Sequence, residues 1–286
     1  PLAKNCRPLA MMLRTILLLA LTSAVADDGL RRGLSFHAGF DQGYDAALSA
    51  DAPACLVRAG SALRPVADGP DVSRISEGRF GSALRFHRKG SVRPEFAAAK
   101  SLAYSTLDWS ATVSVWLRLN PDQDLAPGYC DPLQIVGDDT KKGFIFLEWS
   151  KDHQPRHFRF AVRPLYHLWN PDAVGWEEIP DARRPMVKME SAPFSRSRWT
   201  HVVFTLERLN AHDAPPKAHL YVDGRPIGSI LGHDLTFGWN PSSPKLVLGA
   251  AYVGDLDDVA AWNRVLTPKE IAALYALPKG VSSLHP

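Results

Sequence analysis

Apolar and polar residues alternate with a period of two along much of the chain, which indicates half-buried β-strands. Such runs occupy residues 34–40, 112–119, 143–149, 157–162, 199–206, 219–222 and 245–248. Between two apolar runs, Asp223-Gly224 is the residue pair that favours a type I′ hairpin. Because strands greatly outnumber helices and no βα units alternate, the pattern predicts an all-β fold of two packed antiparallel sheets.

The single strong helical signal lies near the C-terminal end. Thr267 suits an N-cap, Pro268 the first helical position, and Glu270 completes a capping box. Ile271 and Leu274 lie on one apolar face. Because about ten residues of helix are marginal alone, we expect this short C-terminal helix to pack on a sheet.

Residues 1–26 have the pattern of a secretory leader that follows upstream residues. Arg14 provides a basic region, residues 16–21 an apolar region, and residues 24–26 small residues for cleavage. Translation is expected to start at Met11 or Met12. The apolar stretch is shorter than the roughly 20 residues of a membrane span, so the pattern predicts export and no membrane insertion after cleavage. The expected location is secreted, periplasmic or cell-surface.

The charge balance changes once the leader is removed. Loss of Lys4, Arg7 and Arg14 leaves 30 basic and 30 acidic residues, so residues 27–286 are formally neutral. No basic run remains to indicate a nucleic-acid partner. The 23 prolines and 20 glycines are spread among short apolar runs, without a linker or an internal repeat. We therefore expect residues 27–286 to form one domain.

Two cysteines, Cys55 and Cys130, remain after the leader. An exported protein with an even number of cysteines is a candidate for a disulfide, worth about 4 kcal/mol in the chain-entropy model. The alternative is two unpaired thiols in separate parts of the chain.

Several motifs in order resemble the LamG-like domains of the concanavalin A-like lectin/glucanase superfamily. They are FGSALRFH at residues 80–87, WSATVSVWLRL at 109–119, WTHVVFTLE at 199–207, LYVDGRPIG at 220–228 and GDLDDVAAWNRVLTPKEIAALY at 254–275. The resemblance implies a jelly-roll sandwich that binds carbohydrate or an extracellular protein, often with a structural calcium ion. Since one fold hosts many functions, the ligand does not follow from the resemblance alone.

The closing strand contains two adjacent acids, Asp257 and Asp258. Strand parity predicts that one of them faces the space between the sheets, where a carboxylate needs a partner. The resemblance suggests Ca²⁺ held by these acids and Asp41, since oxygen ligands suit this ion. The alternative is a carboxylate satisfied by backbone amides or by an arginine such as Arg85 or Arg264.

Glycoside hydrolases of the superfamily carry a Glu-x-Asp-x-(x)-Glu strand, and this chain has no such pattern. Nucleophile-elbow, zinc-protease, phosphate-loop and Cys-x-x-Cys motifs are also absent from the sequence. His201, within a run of core residues, is interpreted as a packed histidine rather than a catalyst. The sequence therefore predicts no catalytic residues.

The main departure from the family is an insert at about residues 163–198. Long elaborations on a rigid sandwich commonly carry function. Aromatic rings beside charged groups suit sugars, which offer apolar faces and hydroxyl edges. The predicted ligand-binding residues are Arg163, Tyr166, Trp169, Trp176 and Glu177. The alternative is that the rings only pack the insert against the sandwich.

These observations predict an exported, non-catalytic module that binds carbohydrate or an extracellular protein. Two alternatives remain: a divergent polysaccharide hydrolase or lyase, and a structural or adhesive module of the cell surface.

Overall fold

The computed structural model describes residues 28–285, so the predicted leader lies outside the described part of the chain. Its strands are β1 (Leu34–Ala38), β2 (Leu48–Ser49), β3 (Leu56–Ala59), β4 (Ala62–Pro65), β5 (Val72–Ile75), β6 (Ala83–Phe86), β7 (Glu95–Ala97), β8 (Trp109–Arg118), β9 (Cys130–Val136), β10 (Phe144–Trp149), β11 (Phe158–Arg163), β12 (Met186–Met189), β13 (Thr200–Leu209), β14 (Lys217–Val222), β15 (Arg225–Ile230), β16 (Lys245–Ala250) and β17 (Gly254–Trp262). The chain has one helical turn at residues 28–31 and three labelled α-helices, α1 (Pro121–Asp124), α2 (Tyr166–Trp169) and α3 (Pro268–Tyr275). None of the helices in this part of the chain is long and apolar enough to cross a membrane.

The strands form two antiparallel sheets, which confirms the predicted two-sheet sandwich. Sheet A has the order β15-β14-β13-β8-β17-β1-β2, with β6 beside β17 and β5 beside β6. Sheet B has the order β12-β11-β10-β9-β16-β7-β3-β4. The first and last strands pair through Phe36 and Ala261, so the two ends of the described chain share one sheet.

The main core lies between the sheets and is rich in aromatic rings. Phe160 of sheet B stacks on Phe204 of sheet A with ring centroids 4.8 Å apart. Trp149 stacks on Tyr252 at 5.8 Å, and both are fully buried. Burial of these large rings supplies much of the hydrophobic stabilisation.

Local signals in the sequence form as predicted. Asp223 and Gly224 have φ angles of 49° and 73°, as a type I′ turn requires. In α3, Thr267 accepts a hydrogen bond from the Glu270 amide at 3.2 Å, and the Glu270 carboxylate accepts one from the Thr267 amide at 2.7 Å. Buried Ile271 packs with its neighbours on the outer face of sheet A, so α3 forms a third layer there.

A β-bulge in β17 overturns the parity expectation for the paired acids. The pairing register with β8 shifts between Asp257 and Ala260, and Asp258 has a left-handed φ of 51°. Leu256 and Val259 belong to the core between the sheets. Both acids instead lie on the outer side of sheet A, where they contact a loop and the C-terminal segment. The prediction that one acid faces the space between the sheets was wrong, because the bulge breaks the alternation.

Cys55 and Cys130 are both buried and free, so the alternative of two unpaired thiols holds. Cys55 immediately precedes β3 and Cys130 begins β9. Strands β7 and β16 lie between them in sheet B. Three strand spacings amount to about 14 Å, beyond the roughly 7 Å that a disulfide can span between Cα atoms.

Candidate functional site

The insert between β11 and β13 lies over the outer face of sheet B. It contains α2, two 3₁₀ turns (Trp176–Glu178 and Asp181–Arg183) and β12, which pairs with β11 at the edge of the sheet. A small cluster of Phe146, Ala161, Trp176 and Ile179 joins the insert to the sheet. The insert therefore adds its own hydrophobic contacts outside the main core.

Four of the five predicted ligand-binding residues meet in one aromatic cluster. The guanidinium carbon of Arg163 lies 3.9 Å from the Trp176 ring centre and 4.8 Å from that of Trp169. Trp169 contacts Trp176 at 5.4 Å and Tyr166 at 5.3 Å between ring centres. Trp176 is buried, whereas Tyr166 and Trp169 are half-buried. Packing thus accounts for Trp176, while the other two rings keep an accessible part.

The fifth predicted residue, Glu177, is the centre of a hydrogen-bonded network. Its carboxylate accepts bonds from Arg159 Nη1 at 2.7 Å, Arg184 Nη1 at 2.9 Å and the Tyr129 hydroxyl at 2.9 Å. Burial alone would raise the pKa of Glu177, but the bonds from Arg159 and Tyr129 and the charge of Arg184 lower it to about 2. Glu177 is therefore a permanent anion that holds two guanidinium groups in place.

Two buried carboxyl groups lie beneath this network, on neighbouring strands of sheet B. Glu148 of β10 accepts a bond from Arg159 Nη1 at 3.2 Å, and Asp131 of β9 accepts one from Gln134 at 2.6 Å. Burial raises the pKa of both, and the charge of Asp131 raises that of Glu148 further. This pair was not predicted from the sequence. The sequence did contain one signal: Glu148 and Arg159 each lie within a run of apolar residues, on two strands that pair.

Several buried polar atoms of this region have no hydrogen-bond partner within residues 28–285. They are Asp131 Oδ1, Arg159 Nε, Arg163 Nε, Trp169 Nε1 and Trp176 Nε1. Buried polar groups are nearly always paired with protein, water or a ligand. This concentration of unused donors and one acceptor is the property that singles out the outer face of sheet B.

A polar cleft of about 350 Å³ adjoins the network and opens to solvent beside β12. Arg159, Glu177 and Arg184 contribute to its wall, together with Asp181 and Lys188. Lys188 donates to Asp181 at 2.7 Å. The cleft therefore presents fixed, alternating donors and acceptors next to the aromatic cluster.

The three acids predicted to bind Ca²⁺ accept hydrogen bonds from protein groups. Asp41 follows β1 and accepts a bond from the Ser82 amide at 2.7 Å. Asp257 accepts bonds from the amides of Arg79 and Phe80 at 2.7 and 3.0 Å. These two acids therefore bind the same loop rather than each other.

Asp258 bonds to His37 Nε2 at 2.7 Å and accepts from the Val281 amide at 3.2 Å. Because N–H groups point at the oxygens that a cation would need, this donor set does not fit Ca²⁺. Across residues 28–285, no three His, Cys, Asp or Glu side chains are grouped to hold a metal. The two arginines considered as partners bind other acids, Arg85 to Asp255 and Arg264 to Glu270.

His201 is packed rather than exposed. It is buried on β13, bonds to the Ser114 hydroxyl at 2.8 Å and stacks on Trp116 at 4.7 Å. Burial lowers its pKa to about 3, so the ring stays neutral.

A family model described as the concanavalin A-like lectin/glucanases superfamily matches residues 97–272. The chain belongs to this superfamily. The match covers the strands from β8 to β17, including those beneath the insert. A comparison with curated protein sequences gives no match.

Among solved structures, the chain is similar to domain 4 of AbnA, an extracellular GH43 arabinanase of Geobacillus stearothermophilus, in complex with arabinotriose. The identity is 14%, the TM-score is 0.50, and the match covers 84% of this chain and 96% of that domain. The receptor-binding domain of botulinum neurotoxin D is similar at 12% identity and TM-score 0.49, over 78% of this chain and 52% of that one. Trypanosoma rangeli sialidase is similar at 16% identity and TM-score 0.48, over 85% of this chain and 32% of that one. At 14% identity, the likeness to domain 4 of AbnA concerns the fold alone.

Proposed function

We propose that the protein is an exported, non-catalytic module that binds carbohydrate in the cleft beside the insert. The observation that carries this proposal is the solvent-open polar cleft in which Arg159, Glu177 and Arg184 are held in place beside the insert. Sugar hydroxyls both donate and accept, so they can bond to the guanidinium, ammonium and carboxylate groups of the cleft wall. The fold is compatible with this role, since domain 4 of AbnA is described in complex with arabinotriose.

The cleft and the rings supply the two kinds of contact that a sugar needs. Glu177 and Arg184 are held rigidly, so little side-chain entropy is lost when a ligand binds them. Tyr166 and Trp169 are half-buried, which leaves ring surface for an apolar sugar face. The leader-like residues 16–26 support an exported location, where such ligands occur.

A glycan array and calorimetry on residues 27–286 test the proposal. Trp169→Ala and Lys188→Ala should each weaken binding of the array's best glycan at least about fivefold, because they remove a ring face and a cleft donor. Val174→Ala is the matched control, since Val174 is an exposed apolar residue of the same insert. Absence of glycan binding would contradict the proposal, as would binding by both variants equal to that of the native chain at unchanged stability.

Hydrolysis is a second candidate because Asp131 and Glu148 form a carboxyl pair of raised pKa. Retaining glycosidases use two carboxyl groups about 5–5.5 Å apart. Both groups here are at most 7% exposed and covered by Arg159 and the insert. A reducing-end assay on each bound glycan decides between the two functions. Product that forms with the native chain and disappears in Glu148→Gln would establish hydrolysis.

A further inference from the structure

A second cleft, of about 540 Å³, lies at one end of the sandwich and shares no lining residue with the cleft beside the insert. Its wall comes from the ends of β6, β8 and β17, from α1 and from the loop before β13. The volume is within the range of small-molecule sites.

Three guanidinium groups line this cleft, and each is fixed by a carboxylate along one edge. Arg85 donates through Nε and Nη2 to both oxygens of Asp255, at 2.7 and 3.0 Å. Arg118 donates through the same two nitrogens to Asp255 Oδ2, at 2.9 and 2.7 Å. Arg196 donates through Nε to Asp124 at 2.6 Å. The Nη1 of each arginine has no hydrogen-bond acceptor within the described chain, so three oriented donors remain available.

The charges of the cleft balance. Three arginines face Asp124, Asp255 and Glu77, so the formal charge of the wall is zero. The Asp255 and Asp124 side chains are only 7% and 11% exposed, because the guanidinium groups cover them. Glu77 is exposed and forms no ion pair among residues 28–285, so it provides a carboxylate acceptor.

We propose that this end cleft is a second binding site, specific for a neutral saccharide unit. Fixed Nη1 donors and the Glu77 carboxylate match hydroxyl groups, which donate and accept. A charged sugar gains no net attraction from a wall whose formal charge is zero. The half-buried Val253 adds a small apolar surface to the wall.

Titration of residues 27–286 with neutral and acidic oligosaccharides tests this inference. The neutral probes are arabinan, xylan, β-glucan and mannan fragments, and the acidic probes are oligogalacturonides. The double variant Arg85→Gln/Arg196→Gln should weaken neutral-probe binding at least about tenfold, since it removes two oriented donors. Arg198→Gln, an exposed arginine outside the cleft, is the control. Binding of a neutral probe should change less than about twofold between low and high salt.

Equal binding by the double variant and the native chain would overturn the inference, as would a preference for acidic probes that salt abolishes. Arg196→Gln alone serves if the double variant does not fold, because Arg196 is 62% exposed. Trp169→Ala, in the aromatic cluster of the insert, separates the two proposals. If Trp169→Ala loses binding and the arginine variants do not, the result supports the insert site and refutes the end cleft. If the arginine variants lose binding and Trp169→Ala does not, the result refutes the insert site.

Discussion

Trp176→Ala is the substitution that best separates packing from ligand binding in the insert. Trp176 is 9% exposed, and its ring lies 3.9 Å from the Arg163 guanidinium and 5.4 Å from Trp169. Truncation of a buried tryptophan to alanine costs about 3–5 kcal/mol through lost burial and the cavity left behind. This total includes the lost cation–π contact, worth about 0.5–2 kcal/mol. We therefore expect a decrease of about 4 kcal/mol in the free energy of unfolding.

Urea denaturation followed by tryptophan fluorescence measures this change, and hydrogen exchange over residues 164–185 reports whether the insert opens alone. For a domain of this size about 4 kcal/mol corresponds to a decrease in Tm of about 8–16 °C. Val174→Ala, on the exposed side of the insert, should cost less than about 0.5 kcal/mol. A loss below about 1 kcal/mol for Trp176→Ala, together with abolished glycan binding, would refute the packing role and make Trp176 a ligand contact.

Three further predictions concern Asp257, Asp258 and the half-buried His285. Burial, and then the charge of Asp258, raise the pKa of Asp257 to about 7, so its folded state binds the proton more tightly than the unfolded state does. As the pH rises from 4 to 8, the native chain should therefore lose about 4 kcal/mol of stability relative to Asp257→Asn. Urea midpoints of the two proteins that change equally with pH would contradict this. Burial, and then His37, lower the pKa of His285, which also faces Asp258 and Arg31, so acid should release the C-terminal segment as the pH falls below about 6.5. Protection of the amides of residues 281–285, corrected for the intrinsic pH dependence of exchange, should be lower at pH 5 than at pH 7.5, and equal protection would exclude the effect. Calcium added after chelator treatment should leave Tm unchanged, because N–H donors occupy the oxygens of Asp257 and Asp258; a rise of several degrees would reveal a site.

Part of the candidate site was predictable from the sequence. The length and composition of the insert singled out Arg163, Trp169 and Trp176, which the fold brings into contact. The buried pair Asp131 and Glu148 was not predicted. The two residues lie 17 positions apart, and only the pairing of β9 with β10 places them together.

The sequence by itself determined the features that depend on neighbouring residues. Period-two alternation specified seven strands (β1, β8, β10, β11, β13, β14 and β16), Asp223-Gly224 specified the hairpin, and Thr267 with Glu270 specified the start of the last helix. Backbone geometry and capping bonds decide these elements within a few residues, so local chemistry suffices. The superfamily motifs, taken together, predicted the two-sheet sandwich.

Only the tertiary structure decided where the buried charges lie and what they contact. The bulge at Asp258 turns both paired acids to the outer side of sheet A, and Asp258 then meets His37, 221 residues earlier in the chain. Likewise Asp255 binds Arg85 and Arg118 across strands remote in sequence. Such partners follow from strand order and register, which local pattern does not encode. A buried charge is stable only if those long-range neighbours satisfy it.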